Sequence, residues 1–343
     1  MRGRSRPAAA LLLLPLLLSA CAGAPQSRET GFVLEAGVLG AEPAEEGIRL
    51  YAAARREEGA DSMTRGTGPA PAAAAEALEQ GGEAPVSCVH GEHLLLARSG
   101  EGLLPDLLSF AFQDPRQSTE TLLWAVETDS LAEIFGPDRG LVRRMDVLRA
   151  AGDGRQGFRS VPLREAAAAE AMGLPVLLPA LRPEGESLIF SGAAVWDRGR
   201  FTAWLDREEA LGAFLLLGGR VRWTESALGE TVSLRAAGCR LDPVWRGERL
   251  TGLTAVCRLE GVRTGGWPDR PLEARRLEVR TEERLARAMI RLRAAGAGDL
   301  LLRRAGLSRP WQWSRLAGQR GTASPGVTLT ARAELTGAAS GQP

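Results

Sequence analysis

Two spacings of apolar residues recur along this chain, one near two and one between three and four, and they mark strands and helices in turn. Residues 31–40 read as a first strand, and Ile48–Ala54 as its hairpin partner across an acidic turn. Residues 59–71 are rich in Gly, Pro and Ala and read as a loop. Ala72–Gln80 then reads as a short Ala-rich helix ended by Gly81-Gly82. Pro85–Ala97 reads as one or two strands, and Thr121–Val126 as an apolar strand. Between them, Leu103–Phe112 predicts an amphipathic helix with Leu104, Leu107, Leu108 and Phe112 on one side. Strand, short helix and strand at this spacing predict a parallel pair with a right-handed crossover. Leu131–Phe135, Leu141–Ala150 and Pro162–Met172 read as helical, 152–157 as a flexible break and Leu174–Leu181 as extended.

Arg182-Pro183-Glu184-Gly185-Glu186 is a polar turn cluster between two apolar strands, and a domain boundary is placed there. Ser187–Trp196 and Arg200–Leu205 predict a hairpin closed by Asp197-Arg198-Gly199, with Gly199 suited to a left-handed turn position. Asp206 starts a helix, and Glu209 three residues on completes a capping box; Leu211, Phe214 and Leu215 face inward. Strands at 230–239, 242–246 and 249–263 predict an antiparallel meander. Thr281 reads as the cap of the last long helix, with Glu282 and Glu283 placed against its dipole and Leu285, Met289 and Leu292 facing the core. Val327–Leu335 is a final strand. The expected fold class is α+β, with mixed and antiparallel sheets, packed helices and no internal repeat.

The chain opens with a different pattern. Arg2, Arg4 and Arg6 precede an apolar run from Ala8 to Leu18, broken only by Pro15. That run is roughly half of the ~20 residues a spanning helix needs, so it reads as a secretory signal. Leu18-Ser19-Ala20-Cys21 follows the lipobox order of branched apolar, small, small, Cys. Cys21 is therefore the expected site of cleavage and of acylation with diacylglycerol and palmitate-type chains. The expected organisation is a signal peptide over 1–20, a polar tether over 21–30, an N-terminal α/β domain over 31–182 and a C-terminal α+β region over 183–343, which could form two subdomains. At about 100–200 residues per domain the mature chain holds two or three.

Composition narrows the chemistry. The formal net charge is +1, which argues against nucleic acid or a polybasic membrane patch as a partner. There is no Lys and no Asn, so every basic side chain but two histidines is Arg, as in a GC-rich genome. The arginines are therefore not evidence of phosphate binding. A Walker-type phosphate loop needs Lys, and no Gly-x-Ser-x-Gly elbow occurs. The expectation is a non-catalytic protein without cofactor or metal.

Three groups of residues remain as candidates. Cys88, His90, Glu92 and His93 form the one cluster resembling a metal site, or else a strand edge with a packed histidine; in a strand the first three share a face and His93 points away. Cys239 and Cys257 flank a turn at Trp245-Arg246-Gly247-Glu248 and could face each other across a hairpin, as a disulfide outside the cytoplasm or as two small buried thiols. Trp311 and Trp313 flank Gln312 in a Pro-containing loop, where they could contact a partner or lipid headgroups, or pack into the core. Glu208 and Glu209, at a helix start, read as capping residues rather than an acid–base pair.

The order of segments resembles the spore germination receptor C subunits, the Ger(x)C lipoproteins. Five segments carry the resemblance: Cys21 with Arg28-Glu29 and the Gly-containing first strand; Ala74–Leu78 with Val89-His90 and Leu94-Leu95-Leu96; Leu107-Leu108-Ser109-Phe110 with Gln113-Asp114-Pro115-Arg116; Gly192-Ala193-Ala194-Val195-Trp196 with Trp204–Glu209 and Gly212; and Gly298-Asp299-Leu300-Leu301 with Pro310-Trp311 and the last strand. The hairpin and helix over 192–212 is the most specific of these. Gln113 stands where the family has Arg, and Ala22-Gly23 and Ala41-Glu42 depart from its first segment. The resemblance implies three mixed α/β domains on the outer face of the cytoplasmic membrane, the inner membrane of a spore. Its implied partners are a larger A subunit and a transporter-like B subunit, both integral to the membrane, in a nutrient receptor that triggers germination. The other reading of the chain is an extracytoplasmic solute-binding lipoprotein.

Overall fold

The computed structural model describes residues 34–336, apart from 57–60, 82–85, 89–90, 115–116, 137–139, 155, 186, 228–229, 266–273 and 320–325. The signal 1–20, Cys21, the tether 21–30, Arg28-Glu29, Val89-His90 and Pro115-Arg116 lie outside the described residues. Among the described residues no helix is long and apolar enough to cross a membrane.

The first sheet begins with the expected hairpin. Strand β1 (Leu34–Ala44) pairs antiparallel with β2 (Gly47–Ala54), and β2 with β3 (Ser62–Gly68). The strand β3 lies within residues 59–71, which had read as a loop rich in Gly, Pro and Ala. Its glycines serve packing: a Cβ at Gly66 would collide with the backbone of Ala74 and Leu78 in α1 (Pro71–Gln80). Helix and strand can thus lie in contact only where the side chain is missing.

On the other side of β1 the sheet turns parallel. The short strand β4 (Val86–Ser87) and β5 (His93–Ala97) both run parallel to β1, followed by β6 (Leu122–Val126) and β7 (Val176–Glu184). The helix α2 (Leu104–Gln113) connects β5 to β6 as expected, while α3 (Leu141–Gly154) and α4 (Leu163–Ala171) lie between β6 and β7. In α2 the buried set is Leu104, Leu107, Leu108 and Ala111, whereas Phe112 is half exposed rather than inward. Residues 131–135, expected as helix, are a run of turns. The antiparallel strands β8 (Ser187–Asp197) and β9 (Arg200–Leu205) complete the sheet, and Arg198 and Gly199 both take positive φ in their turn. The boundary drawn between 182 and 183 falls inside β7, and the same sheet continues beyond it through β8 and β9. The polar cluster there is a hairpin turn, because the apolar strands on its two sides pair with each other.

The second sheet has the order β10-β11-β12-β13. It follows α5 (Arg207–Leu216) and contains β10 (Arg222–Ala227), the long antiparallel pair β11 (Glu230–Arg246) and β12 (Arg249–Gly265), and β13 (Gly326–Thr336). The two segments expected at 230–239 and 242–246 are one strand, and the final strand, β13, lies parallel to β12. Its crossover contains α6 (Ala274–Ala294), α7 (Asp299–Ser308) and the short α8 (Trp313–Ala317). Thr281 is buried inside α6 instead of capping it. Nothing in Ala274–Arg280 breaks a helix, so the start lies two turns earlier.

Alternation along β5 and β6 divides the interior. Leu94, Leu96, Leu123 and Ala125 enter one core cluster, under α1, α2 and α4. Leu95, Ala97, Trp124 and Val126 enter the other, which continues through α5 into the second sheet and α6.

Candidate functional site

The His cluster does not assemble as the sequence grouped it. Cys88 is buried in the cluster under α1, where burial, with the charge of Glu79, pushes its thiol up to about 12. It remains a protonated, inert thiol. His93 opens β5 on the opposite face and is fully buried. Because Leu95 lies opposite Trp124 in the parallel register, His93 and Trp124 are diagonal neighbours on one face. Trp124 Nε1 donates to His93 Nδ1 at 3.1 Å. The other ring nitrogen, Nε2, lies 3.8 Å from Asp146 Oδ1 on α3.

Glu92, His93 and Asp146 bring one potential ligand atom each within 4.8 Å of one another. The donor set nevertheless does not suit a metal. An indole N–H can only donate, so Nδ1 must be the bare, accepting nitrogen of the imidazole. Nε2 then carries the ring proton and has no lone pair for a cation. The two carboxylates are already held by arginines, Arg55 on Asp146 at 2.6 Å and Arg149 on Glu92 at 3.1 Å. Burial lowers His93 to about 4, with Asp146 opposing the shift and Arg149 adding to it. The imidazole is thus a neutral packing element in a chain of ring contacts, tilted against Trp124, which meets Phe158 edge-on, which in turn stacks on Phe190.

An open groove of about 530 Å³ adjoins this point, lined in part by Glu92, Glu120, Thr121, Arg149 and Ser160. It sits at the amino ends of β5 and β6. Ligands of open α/β sheets bind at the carboxyl ends instead. The charges are internally matched, Glu92 with Arg149 and Glu120 with Arg164.

The segment 192–212 is where the sequence resemblance has its clearest physical basis. Gly192 takes φ +151, and a Cβ there would collide with the Leu205 carbonyl. Asp206 and Glu209 form the expected capping box: the Glu209 backbone N–H donates to Asp206 Oδ1 at 2.8 Å, and the Asp206 N–H donates to Glu209 Oε2 at 3.2 Å. A Cβ at Gly212 would meet the carbonyl of Arg284, so α5 and α6 touch backbone to backbone. Glu208 does not cap; it accepts from Arg284, with Nη2 at 3.0 Å from Oε1. Arg284, itself 3% exposed, also pairs with the buried Glu225 of β10. Glu225 accepts further from Trp223 Nε1 at 2.9 Å and forms an ion pair with Arg280 at 3.0 Å. This ionic cluster joins α5, α6 and β10. Its members lie up to 76 residues apart, and no local spacing announces them.

A second buried carboxylate was equally silent in the sequence. Glu42 on β1 accepts from Tyr51 Oη at 2.7 Å, Arg49 Nη1 at 3.0 Å and the Leu131 N–H at 2.6 Å. It thereby ties the 131–135 turns to the sheet.

The tryptophan loop divides its two members. Trp311 is 71% exposed, with the Arg309 guanidinium 5.5 Å from its ring. Trp313 is half-buried and lies against Gly306 of α7. Gln312 between them accepts from Trp245 Nε1 at 3.0 Å, which fixes the loop to the end of β11. Cys239 and Cys257 are directly opposite each other across β11 and β12, and the structure holds both as buried thiols.

These features define an α+β protein with a mixed sheet and a separate second sheet, linked in the chain by α5, which packs on α6. The crystal structure of the GerBC protein has this fold: the two superpose with a TM-score of 0.52 at 14% sequence identity, over 85% of this chain and 99% of that one. No family model matches the sequence. No curated protein matches it either.

Proposed function

We propose that this chain is the C subunit of a spore nutrient germinant receptor, a non-catalytic lipoprotein held on the outer face of the cytoplasmic membrane through acylated Cys21. The observation that carries this reading is the fold shared with GerBC across 99% of that chain. The ordered Ger(x)C resemblance of the sequence supports it independently, since its most specific segment, 192–212, coincides with the glycine contacts and capping box that build the α5–α6 junction.

In this reading the subunit works by assembly. A thioether-linked diacylglycerol supplies two chains, enough for stable anchoring. Anchoring confines the folded part near the integral A and B subunits and raises its effective concentration there. The exposed Trp311 beside Arg309 offers an aromatic and cationic contact for one of them. The solute-binding reading expects two doubly wound lobes with repeated βα units. The antiparallel β7-β8-β9 edge and the second sheet do not fit that plan.

The test is affinity purification of the tagged chain from detergent-solubilised spore membranes. Recovery with two integral membrane proteins, lost in Cys21→Ala, is the expected result. Recovery of the acylated chain alone, from spores whose nutrient germination is unaffected by deleting its gene and its paralogues, would sink the proposal.

A further inference from the structure

Cys239 on β11 and Cys257 on β12 are register partners, and the next pairs on either side, Arg240 with Val256 and Gly238 with Arg258, remain in step. Directly opposed residues of an antiparallel pair have Cα atoms about 4.5–5.5 Å apart. That lies inside the roughly 4.4–6.8 Å window that a disulfide spans. A slip of one residue would have sent the two side chains to opposite faces. Both are buried in the same core, at 2% and 0% exposure, on the two central strands of the second sheet.

The thiols hydrogen-bond each other, and that bond is the main cause that holds Cys239 below the ordinary thiol range; burial opposes it, and the charge of Arg304 assists. Arg304 Nη2 also donates to the Cys239 carbonyl at 3.1 Å. Cys257 is pushed up, first by the same hydrogen bond and then by burial.

We propose that Cys239 and Cys257 are joined by a disulfide in the exported protein, fastening β11 to β12. The inference rests on the lipoprotein reading, because a compartment outside the cytoplasm supplies the oxidant. That oxidant is a protein or low-molecular-weight disulfide. One of the two cysteine thiolates attacks one of its sulfurs and expels a thiolate, forming a mixed disulfide. The other cysteine then loses its proton and attacks the sulfur of the first, expelling the second thiolate. The pair gives up two electrons and two protons, and the oxidant is reduced to two thiols. Both sulfurs are enclosed in the finished core, so exchange precedes closure of the second sheet, and the bond is afterwards sheltered from thiol reductants.

The test uses the full chain produced in a bacterial host with an oxidising extracytoplasmic compartment. Cells are quenched in acid, fractionated, denatured and alkylated with a maleimide before and after reduction. In the membrane fraction Cys88 alone is expected to react before reduction, and Cys88, Cys239 and Cys257 after it, with Cys21 blocked by its acyl group. Membrane-bound chain whose Cys239 and Cys257 both react without reduction overturns the proposal. So does pairing of either one with Cys88, which a Cys88→Ser variant detects. Chain that stays in the cytoplasm with a reactive Cys21 counts against the export reading instead. Refolding that chain with glutathione disulfide then decides the bond separately: loss of two hydrogens across the Cys239 and Cys257 peptides supports it, and free thiols at both reject it.

Discussion

The indole N–H of Trp124 donates to Nδ1 of His93 over 3.1 Å, and that single bond decides which nitrogen of the buried imidazole keeps a proton. It leaves Nε2–H facing Asp146 at 3.8 Å and removes the lone pair a metal would require. A cluster that the sequence offers as possible ligands is thereby a packed core histidine.

His93 makes stability depend on pH with a definite sign. Burial holds it at about 4 in the folded chain, against about 6.5 unfolded. The unfolded state therefore binds the proton first as pH falls. This contribution is fully present above about pH 6.5 and is lost progressively down to about pH 4, by roughly 3 kcal/mol. Denaturant midpoints across that window should fall more steeply for the native sequence than for His93→Gln. Parallel losses in the two would assign the effect to other groups.

Trp124→Phe removes the donor while keeping a ring in the core. The bare Nδ1 loses its partner at a cost of about 1–3 kcal/mol. It also becomes free to accept a proton, so the His93 titration followed by NMR should move upward. An unchanged titration would mean that the indole bond does not set the tautomer.

Gly212→Ala places a methyl against the Arg284 carbonyl, where neither backbone can yield without moving α5 from α6. Overpacking of this kind costs about 1–3 kcal/mol. Gly199→Ala is the control, with φ +83 and nothing near the new Cβ. It meets only the left-handed penalty of about 1–2 kcal/mol. Thermal unfolding should show the larger loss at Gly212 with some change in α5–α6 packing, and no such change at Gly199.

Arg284→Met strips the buried Glu225 of a cationic partner. Breaking a buried pair costs about 3–5 kcal/mol where the remaining charge is uncompensated; Arg280 stays 3.0 Å from Glu225, so the loss should fall below that range. Adding Glu225→Gln should restore part of the loss. A double variant no more stable than the single one, by urea unfolding, would show that the ion pair is not the source.

The two tryptophans of the loop should separate folding from contact. Trp311→Ala, at a site 71% exposed, should leave stability within about 0.5 kcal/mol. Trp313→Ala empties the space over Gly306 and should lower the unfolding temperature. If Trp311 meets a receptor subunit, its alanine variant will lose co-purification while remaining folded.

Much of the fold was legible locally. The β1–β2 and β8–β9 hairpins, the α2 crossover between parallel strands and the Asp206–Glu209 capping box each depend on residues close in sequence. The misreadings share a cause. Gly66 and Gly68 read as loop because their purpose is contact with a helix, and the turn cluster at 182–186 read as a domain boundary because pairing of its flanking strands is not written in the turn. Phe112 lies outward because the inward stripe of α2 runs through Ala111. Thr281 suited a cap, yet an equally good helical stretch precedes it.

By itself the sequence determined the α+β class and most element positions, because periodicity and turn residues act over a few residues; it offered the facing of Cys239 toward Cys257, which the register shift at Val244 and Trp245 then set. Only the tertiary structure decided that one sheet crosses residue 182, that β13 returns parallel to β12, that His93 meets Trp124 and Asp146, and that Glu208 serves Arg284 rather than its own helix. Those outcomes depend on which faces are brought together after burial, and charge pairing across 76 residues has no signature along the chain.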